Sequence, residues 1–440
     1  GLDIMAEAVE KVSDIERRVK IVVPIAPYQD EISQKFQQLT KTARVQGFRP
    51  GKVPLKIVER QYGADVKSEV YTKAIESKFG EIVQKNKLRV AGMPDIQHEP
   101  LDKVNKDFEF TATFEIFPEF KLSDFKKNKI INYETSITAT DIKKTIDVIV
   151  KQRASFSQVK RTAKIGDKVM AQMQSFIGGE AAESTGKEPI EFILGDAGRI
   201  KGFDDQLVGM KPGITKEFTI KYPKDHSVKE LANKEVKYIV TIHEVFEAIL
   251  PKIDEEFAKS LGIVDGNIKQ MHDEIKKSLV EETDRRIKAN LKQQVFKSLV
   301  DNHTFELPKS LVGAEINRLA QTAYQNMQKQ GTNAKDIKLE SKMFEENAKI
   351  ACKLRIILGN IVDNNPLQAT PDQIKIKVEE FATNYDDSNR AIKWFYEDEK
   401  RLDEPRALAT EDNVVEWFLN QCQKEEKKIE LDLVLAGQFN

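Results

Sequence analysis

The densest chemistry in the chain lies between Ile32 and Val58. That stretch carries six cations, Lys35, Lys41, Arg44, Arg49, Lys52 and Lys56, and no carboxylate. Its centre, Gly47-Phe48-Arg49-Pro50-Gly51-Lys52-Val53-Pro54, sets two glycines and two prolines around one aromatic ring, the composition of a tight turn. Guanidinium and ammonium groups beside an exposed ring suit phosphate oxygens and an apolar protein contact together, which is the chemistry of docking on RNA with a protein neighbour. The same residues would serve equally as a solvated surface turn, because charge runs commonly do no more than that.

Other reaction chemistry is thin. Five histidines are scattered without HExxH spacing, and no hydrolase triad or dinucleotide-binding glycine loop is present. Two cysteines, Cys352 and Cys422, stand far apart with no CxxC. That spacing excludes a disulfide framework and a cysteine-based zinc site, and it suggests a reducing compartment. No cofactor and no metal is expected. Asp225-His226 has the residue types of an acid–base dyad, but neighbours on a loop rarely face one another, and the pair is set aside.

These residues must be positioned by several bodies, since 440 residues exceed one core and suit about three domains of roughly 100–200 residues. Lys+Arg number 70 against 71 Asp+Glu, a net charge of -1, so nucleic-acid contact would need a local basic patch. No apolar run approaches the roughly 18 residues of a membrane span, and no membrane partner is expected. The first ten residues lack the pattern of a secretory signal, and Gly1 to Ile4 read as a scar before a natural start at Met5.

The chain divides by texture. Residues 1–118 mix strand and helix. A strand runs over Glu16–Pro24, with Val19, Ile21 and Val23 on one face, and a helix over Asp30–Val45. After the glycine–proline break, Pro54 opens a second helix, a third covers Ala64–Asn86, and Asp107–Phe117 alternates as a strand. This order predicts a small α+β domain with two of the helices as a hairpin. Residues 119–159 read as a connector whose one helix carries Ile142, Ile146, Ile149 and Val150, with Thr140 and Asp141 available as caps. Residues 160–248 are glycine-rich and strand-leaning, with a short helix at Phe203–Leu207. Residues 249–440 are nearly all helical in pattern, including a long run over Ile268–Leu299 and a start at Thr370-Pro371 with threonine as cap. The fold class expected is multidomain α+β.

The octapeptide Gly47–Pro54 resembles the ribosome-docking signature of the bacterial trigger factor family. Further segments resemble that family in the same order: Val9–Arg18 its opening strand, Gly202–Met210 its FKBP-type isomerase domain, and Leu307–Val312 with Glu315-Ile316 and Arg318-Leu319 its helical C-terminal domain. The resemblance implies a cytoplasmic chaperone at the exit tunnel of the large ribosomal subunit. It would touch a ribosomal protein and rRNA, shelter nascent and unfolded polypeptides, and be a monomer or weak homodimer off the ribosome. Its parts would be a ribosome-binding domain with a helical hairpin, an FKBP-like β-rich domain and an all-helical C-terminal domain with arms. Docking falls on Phe48, Arg49, Pro50, Gly51 and Lys52, with Arg44 beside them; Pro50 stands where some members carry another basic residue.

Carried onto the isomerase domain, the resemblance makes Phe203 the pocket floor, Ile200 a backbone donor and Val240 an apolar wall. It also shows departures. Met173 stands where an aromatic is expected, Gln174-Ser175 replace Thr-Gly, Ala182-Glu183 stand near an expected Phe-Asp, and His226 replaces a tyrosine. A thinned aromatic lining implies weak prolyl isomerisation, which needs no nucleophile, only help over a barrier of about 18–20 kcal/mol. Candidates for client contact are Met327, Met343, Phe344, Trp394, Phe395, Tyr396, Trp417 and Phe418, since adaptable apolar side chains suit varied partners. Each stands at a spacing that is core more often than binding surface. The leading function is a ribosome-associated chaperone; the alternatives are a prolyl isomerase acting as a folding enzyme off the ribosome and, less favoured by the charge, a general RNA-binding protein.

Overall fold

In the N-terminal part, alternation along the chain builds a sheet with one dry face. The computed structural model describes residues 8–182 and 188–440; Gly1 to Met5 and Glu183 lie outside the described residues. Strands β1 (Glu10–Lys11) and β2 (Glu16–Val23) precede helices α1 (Gln29–Thr42) and α2 (Leu55–Lys85), and β3 (Val90–His98) and β4 (Phe108–Ile116) follow. The sheet is antiparallel in the order β1-β2-β4-β3. Val19 pairs with Ala112 and Ile21 with Phe110, so the period-two apolar residues of both strands fall on one buried face. Ile32 and Phe36 of α1 and Val58, Val66, Val70 and Ile75 of α2 complete that core.

The expected pair of helices after Pro54 is a single helix of 31 residues. Gly63 does not break it. A helical glycine costs about 1 kcal/mol, less than the burial of Val58 on one side and of Val66 and Val70 on the other returns. The hairpin is therefore α1 against α2, joined by the basic turn.

The chain is organised as two units, residues 1–132 with 288–427, and residues 133–287 with 428–440. Strand β5 (Lys129–Glu134) ends the first passage, and α3 (Ala139–Gln152) follows. The cap of α3 is Thr138, not Thr140 or Asp141. Thr138 Oγ1 accepts the Asp141 N–H, and the Asp141 carboxylate accepts the Thr138 N–H, a reciprocal capping box.

Next come β6 (Ser155–Val159), β7 (Lys168–Ile177), β8 (Glu180–Ala181), β9 (Ile190–Ile193), α4 (Phe203–Leu207), β10 (Thr215–Lys221) and β11 (Glu235–Ile249). They form a six-stranded antiparallel sheet along β10-β11-β7-β8, with β6 on β11 and β9 on β7. Strand β6 falls in the stretch read from sequence as connector. Its Ser-Phe-Ser-Gln-Val has too little apolar alternation to announce a strand, and pairing with β11 makes it one.

The helical remainder comprises α5 (Glu255–Ser260), α6 (Ile268–Asp301), α7 (Lys309–Lys329), α8 (Glu345–Asn364), α9 (Pro371–Ala382), α10 (Ser388–Tyr396) and α11 (Asp403–Leu419). Strand β12 (Gln423–Lys428), which pairs with β5, and α12 (Leu431–Leu435) end the chain. Thr370 caps α9 with Gln373 in a second capping box. Among the described residues no helix is long and apolar enough to cross a membrane.

Within the first unit, α7 begins at Pro308, which offers no side-chain cap. The cap comes from β4. Glu115 accepts the Lys309 N–H at 2.8 Å and the Ser310 N–H at 3.2 Å, while Ser310 Oγ donates to the Ala91 carbonyl at 3.2 Å. The close approach requires Gly92: its φ is +78°, and a Cβ there would lie 2.2 Å from Ser310 Oγ. Replacing Glu115 with alanine is expected to destabilise this unit by about 1 kcal/mol, the usual worth of a lost helix cap, with Glu115→Gln losing less. Trp394 and Trp417 both lie in this unit, so tryptophan fluorescence during urea unfolding measures the shift.

Candidate functional site

The basic turn is held at its base and free at its tip. Ala43 and Val53, on either side, are buried. Between them the Phe48 N–H donates to the Val45 carbonyl and the Lys52 N–H to the Arg49 carbonyl. Gly47 and Gly51 take φ of +91° and +85°, a conformation other residues rarely adopt. The tip thus projects Phe48, which is 41% exposed, with Arg44, Arg49, Pro50, Gly51 and Lys52 all exposed around it.

Lys35 is the exception among the six cations. It pairs with Glu69 of α2 at 3.0 Å and, with Lys73, holds the Glu69 carboxyl below its ordinary range. Among the described residues no ion pair engages Lys41, Arg44, Arg49, Lys52 or Lys56. Five cations around a protruding ring, with no carboxylate to neutralise them, make a surface that attracts polyanions.

The second candidate is built around Phe203 at the start of α4. Phe203 is buried, with Phe218 at 5.3 Å, Tyr238 at 5.0 Å and Phe192 at 6.4 Å between ring centroids. Val240 and Tyr222 belong to the same core, and half-buried Met173 and Ile200 pack against it. The His226 ring lies edge-on to Tyr222 at 4.9 Å. The five residues expected at this pocket are therefore brought to one cluster.

The sequence reading missed Phe192, Phe218 and Tyr238, whose rings lie beside Phe203, and Tyr222, whose hydroxyl bonds to that of Tyr238. The cluster is richer in aromatics than Met173 and His226 alone suggested. Alternation along Thr215–Lys221 and Glu235–Ile249 was the available signal, since Phe218, Tyr238 and Val240 share one sheet face. Among the described residues no hydrogen bond or ion pair joins the His226 ring to Asp225; its Nδ1 accepts the Val228 N–H.

The segment that carries Ile200 and Phe203 is fixed by one guanidinium. Arg199 donates from Nε and Nη2 to Asp204 at 2.6 and 2.7 Å and from Nη2 to the Ile193 carbonyl at 2.6 Å. It also lies over the Phe192 ring at 4.4 Å. Asp204 accepts the Gly195 N–H as well. Burial alone would raise the Asp204 carboxyl, but the Arg199 and Gly195 hydrogen bonds outweigh it and the group sits below its ordinary 3.8. Arg161 and Asp167 repeat the arrangement, with Asp167 buried and two bonds of 2.6 and 3.0 Å. There too the hydrogen bonds override burial and hold the carboxyl low.

The helical candidates separate by burial. Phe418 is fully buried beside Phe125, and Phe395 packs with Val378 and Leu402; both are core residues here, not contact surface. Their place at the apolar stripe of α11 and α10 decided that, a stripe the sequence could not assign to a partner. Trp417, Met327 and Phe344 are half-buried. Met343 at 62%, Trp394 at 46% and Tyr396 are exposed. Arg401 lies over the Trp394 ring at 4.3 Å and donates to its carbonyl at 2.8 Å. Burial pushes both cysteine thiols up, so neither is poised to react.

Comparison with known proteins covers the whole chain. Residues 5–149 match the family described as bacterial trigger factor protein, residues 267–420 match its C-terminus, and residues 159–243 match FKBP-type peptidyl-prolyl cis-trans isomerase. The chain is 42% identical over 433 residues to the trigger factor of Methylobacillus flagellatus, covering 98% of this chain and 100% of that one. The trigger factors of Chromobacterium violaceum and Laribacter hongkongensis are 37% and 38% identical, covering 99% and 98% of this chain and 100% of each relative.

The Arg199–Asp204 bracket makes the strand-rich part sensitive to acid. With the folded carboxyl below 3.8, its contribution is complete above that unfolded value and is lost as pH falls through the folded one. Asp204→Asn is expected to lower stability at pH 7 by about 1–3 kcal/mol and to flatten the acid limb. Urea midpoints between pH 7 and pH 3, followed by tyrosine near-ultraviolet circular dichroism, measure both.

Proposed function

The chain belongs to the bacterial trigger factor family, chaperones that carry an FKBP-type isomerase domain, and we propose that its Gly47–Pro54 turn docks it on the large ribosomal subunit at the nascent-chain exit. Binding of ribosomes and of unfolded nascent chains is the family's general property. The proposal adds the surface that does it. Arg44, Arg49 and Lys52 meet rRNA phosphates, and Phe48 enters an apolar contact on a ribosomal protein, with Pro50 and Gly51 shaping the tip. The observation that carries this reading is the set of five cations without an acidic partner around an exposed ring. Phosphate contacts of this kind weaken as salt rises.

The proposal assigns residues 1–118 to docking, 119–159 to the connection, 160–248 to isomerisation and 249–440 to client binding, in a cytoplasmic protein that is monomeric or weakly dimeric away from the ribosome. Client contact falls on exposed Met343, Trp394 and Tyr396, with half-buried Met327, Phe344 and Trp417 at its margins. Exposed apolar side chains scattered among charges favour weak, adaptable binding. A second reading, a prolyl isomerase working as a folding enzyme off the ribosome, draws support from the three rings, Phe192, Phe218 and Tyr238, around Phe203.

Replacing Phe48, Arg49 and Lys52 together with alanine should leave folding intact and weaken ribosome cosedimentation at least about tenfold, or about 1.4 kcal/mol. Unchanged cosedimentation of the folded variant sinks the docking assignment. A deletion separates the two readings. Ser155 and Ile249 are cross-strand partners, so excising 156–248 leaves ends about 5 Å apart. The remainder should still suppress aggregation of a refolding client; a folded remainder with no holding activity places client binding elsewhere.

A further inference from the structure

A proline residue has no N–H. An Xaa-Pro segment lying in an apolar pocket therefore presents carbonyl oxygens and no backbone donor at the proline, so the polar groups that can recognise it there are donors. Around Phe203 two such donors are on hand. One is the Ile200 N–H, half-buried and without a hydrogen-bond partner among the described residues. The other comes from two tyrosines. The hydroxyls of Tyr222 and Tyr238 are hydrogen-bonded to each other, and both residues are buried. Two hydroxyls carry two protons, and one bond consumes one of them. No other acceptor reaches either hydroxyl among the described residues, so in either direction of the bond one proton is left over inside an apolar cluster. A buried donor without an acceptor is costly, and a carbonyl oxygen of a bound chain would relieve it.

We propose that Tyr238 is a hydrogen-bond donor of the proline pocket, delivering its hydroxyl proton to a carbonyl oxygen of the bound Xaa-Pro segment, while the Tyr222 hydroxyl donates to the Tyr238 oxygen and orients it. The proposal rests on the reading that the isomerase pocket is built on Phe203. Tyr238 is the member of the pair that touches that floor: its ring meets Phe203 edge-on at 5.0 Å and stacks on Phe218 at 5.6 Å. Among the described residues no ring contact joins Tyr222 to Phe203; its ring meets His226 edge-on at 4.9 Å. A hydroxyl that accepts one hydrogen bond becomes a better donor of the next, so Tyr222 strengthens Tyr238 without touching the substrate. Rings on two sides leave Tyr238 little freedom, and its proton is delivered in a fixed direction. Tyr222 is thus a positioning residue, and Tyr238 is a specificity residue for the acceptor on the chain.

The test uses the full-length protein and acetyl-Ala-Leu-Pro-Phe-amide. A companion series replaces one carbonyl oxygen at a time with sulfur, a poorer acceptor. Isomerisation and affinity are both measured by NMR. Tyr238→Phe keeps the ring and should lose about tenfold in kcat/KM, the scale of one hydrogen bond. Tyr222→Phe should lose less, and the double variant no more than Tyr238→Phe alone. One sulfur analogue should bind the wild type more weakly than the parent peptide does, yet bind Tyr238→Phe as well as the parent does. Wild-type turnover and affinity in Tyr238→Phe overturn the proposal, as does an equal loss across every analogue, which marks a purely structural ring pair. A larger loss in Tyr222→Phe than in Tyr238→Phe overturns the choice of donor. Phe203→Leu is the control for the pocket itself. If that folded variant also binds and isomerises like the wild type, or if the wild type does neither, the placement of the pocket at Phe203 fails and the donor assignment fails with it.

Discussion

The helical core of the first unit is completed by one burial: Phe125 among helices that come more than 160 residues later. Only 1% of Phe125 is exposed. Its ring lies at 4.8 Å from Phe418, 6.0 Å from Trp417 and 6.0 Å from His303. The strand of chain around it is stitched in as well. The His303 Nε2 accepts the Ser123 N–H at 3.0 Å while its Nδ1 donates to the Leu299 carbonyl at 2.6 Å. Gln294 accepts the Ile131 N–H and donates to the Ile131 carbonyl. A buried phenylalanine is worth about 1.5–3 kcal/mol in transfer alone. The helices after residue 288 are thus incomplete until chain from before residue 132 is in place.

The two candidate sites rely on opposite treatments of charge. At the basic turn the cations are left unpaired in water, where desolvation costs them nothing and a polyanion gains by meeting them. At the Phe203 cluster the charges are few and locked. Arg199 and Asp204 satisfy each other, the Ile193 carbonyl and the Gly195 N–H, so the rings beside them see a closed hydrogen-bond network. Such a network fixes the position of α4 and with it Phe203.

The helical part divides its apolar residues between several small cores. Phe125, Val295, Ile357, Val414 and Phe418 form one, and Ile374, Val378, Phe395 and Leu402 another. Small cores leave proportionally more surface, and Met343, Trp394 and Tyr396 remain on it. In the proposed function that surface meets unfolded chains, since a chaperone must offer apolar contact without a single deep site that would hold one sequence too tightly.

Local chemistry was legible in the sequence wherever a few neighbouring residues settle the outcome. The turn at Gly47–Pro54, the alternation of Val19, Ile21 and Val23, the threonine–proline start of α9 and the short helix at Phe203 all rest on interactions within about one turn of chain. Tertiary structure decided the rest. It ran α2 straight through Gly63, because burial on both sides outweighs one residue's propensity. It made a strand of Ser155–Val159 by giving it β11 as a partner. It placed Phe395 and Phe418 inside and left Trp394 outside, although all three lie in similar helical patterns. It paired Lys35 with Glu69 and, among the described residues, gave the other five cations no ion-pair partner. It also drew Phe192, Phe218 and Tyr238 around Phe203 from three different strands, and set Tyr222, after β10, against Tyr238. Periodicity reports that a side chain has an apolar face, but the partner that covers that face is chosen by contacts between residues far apart in the chain.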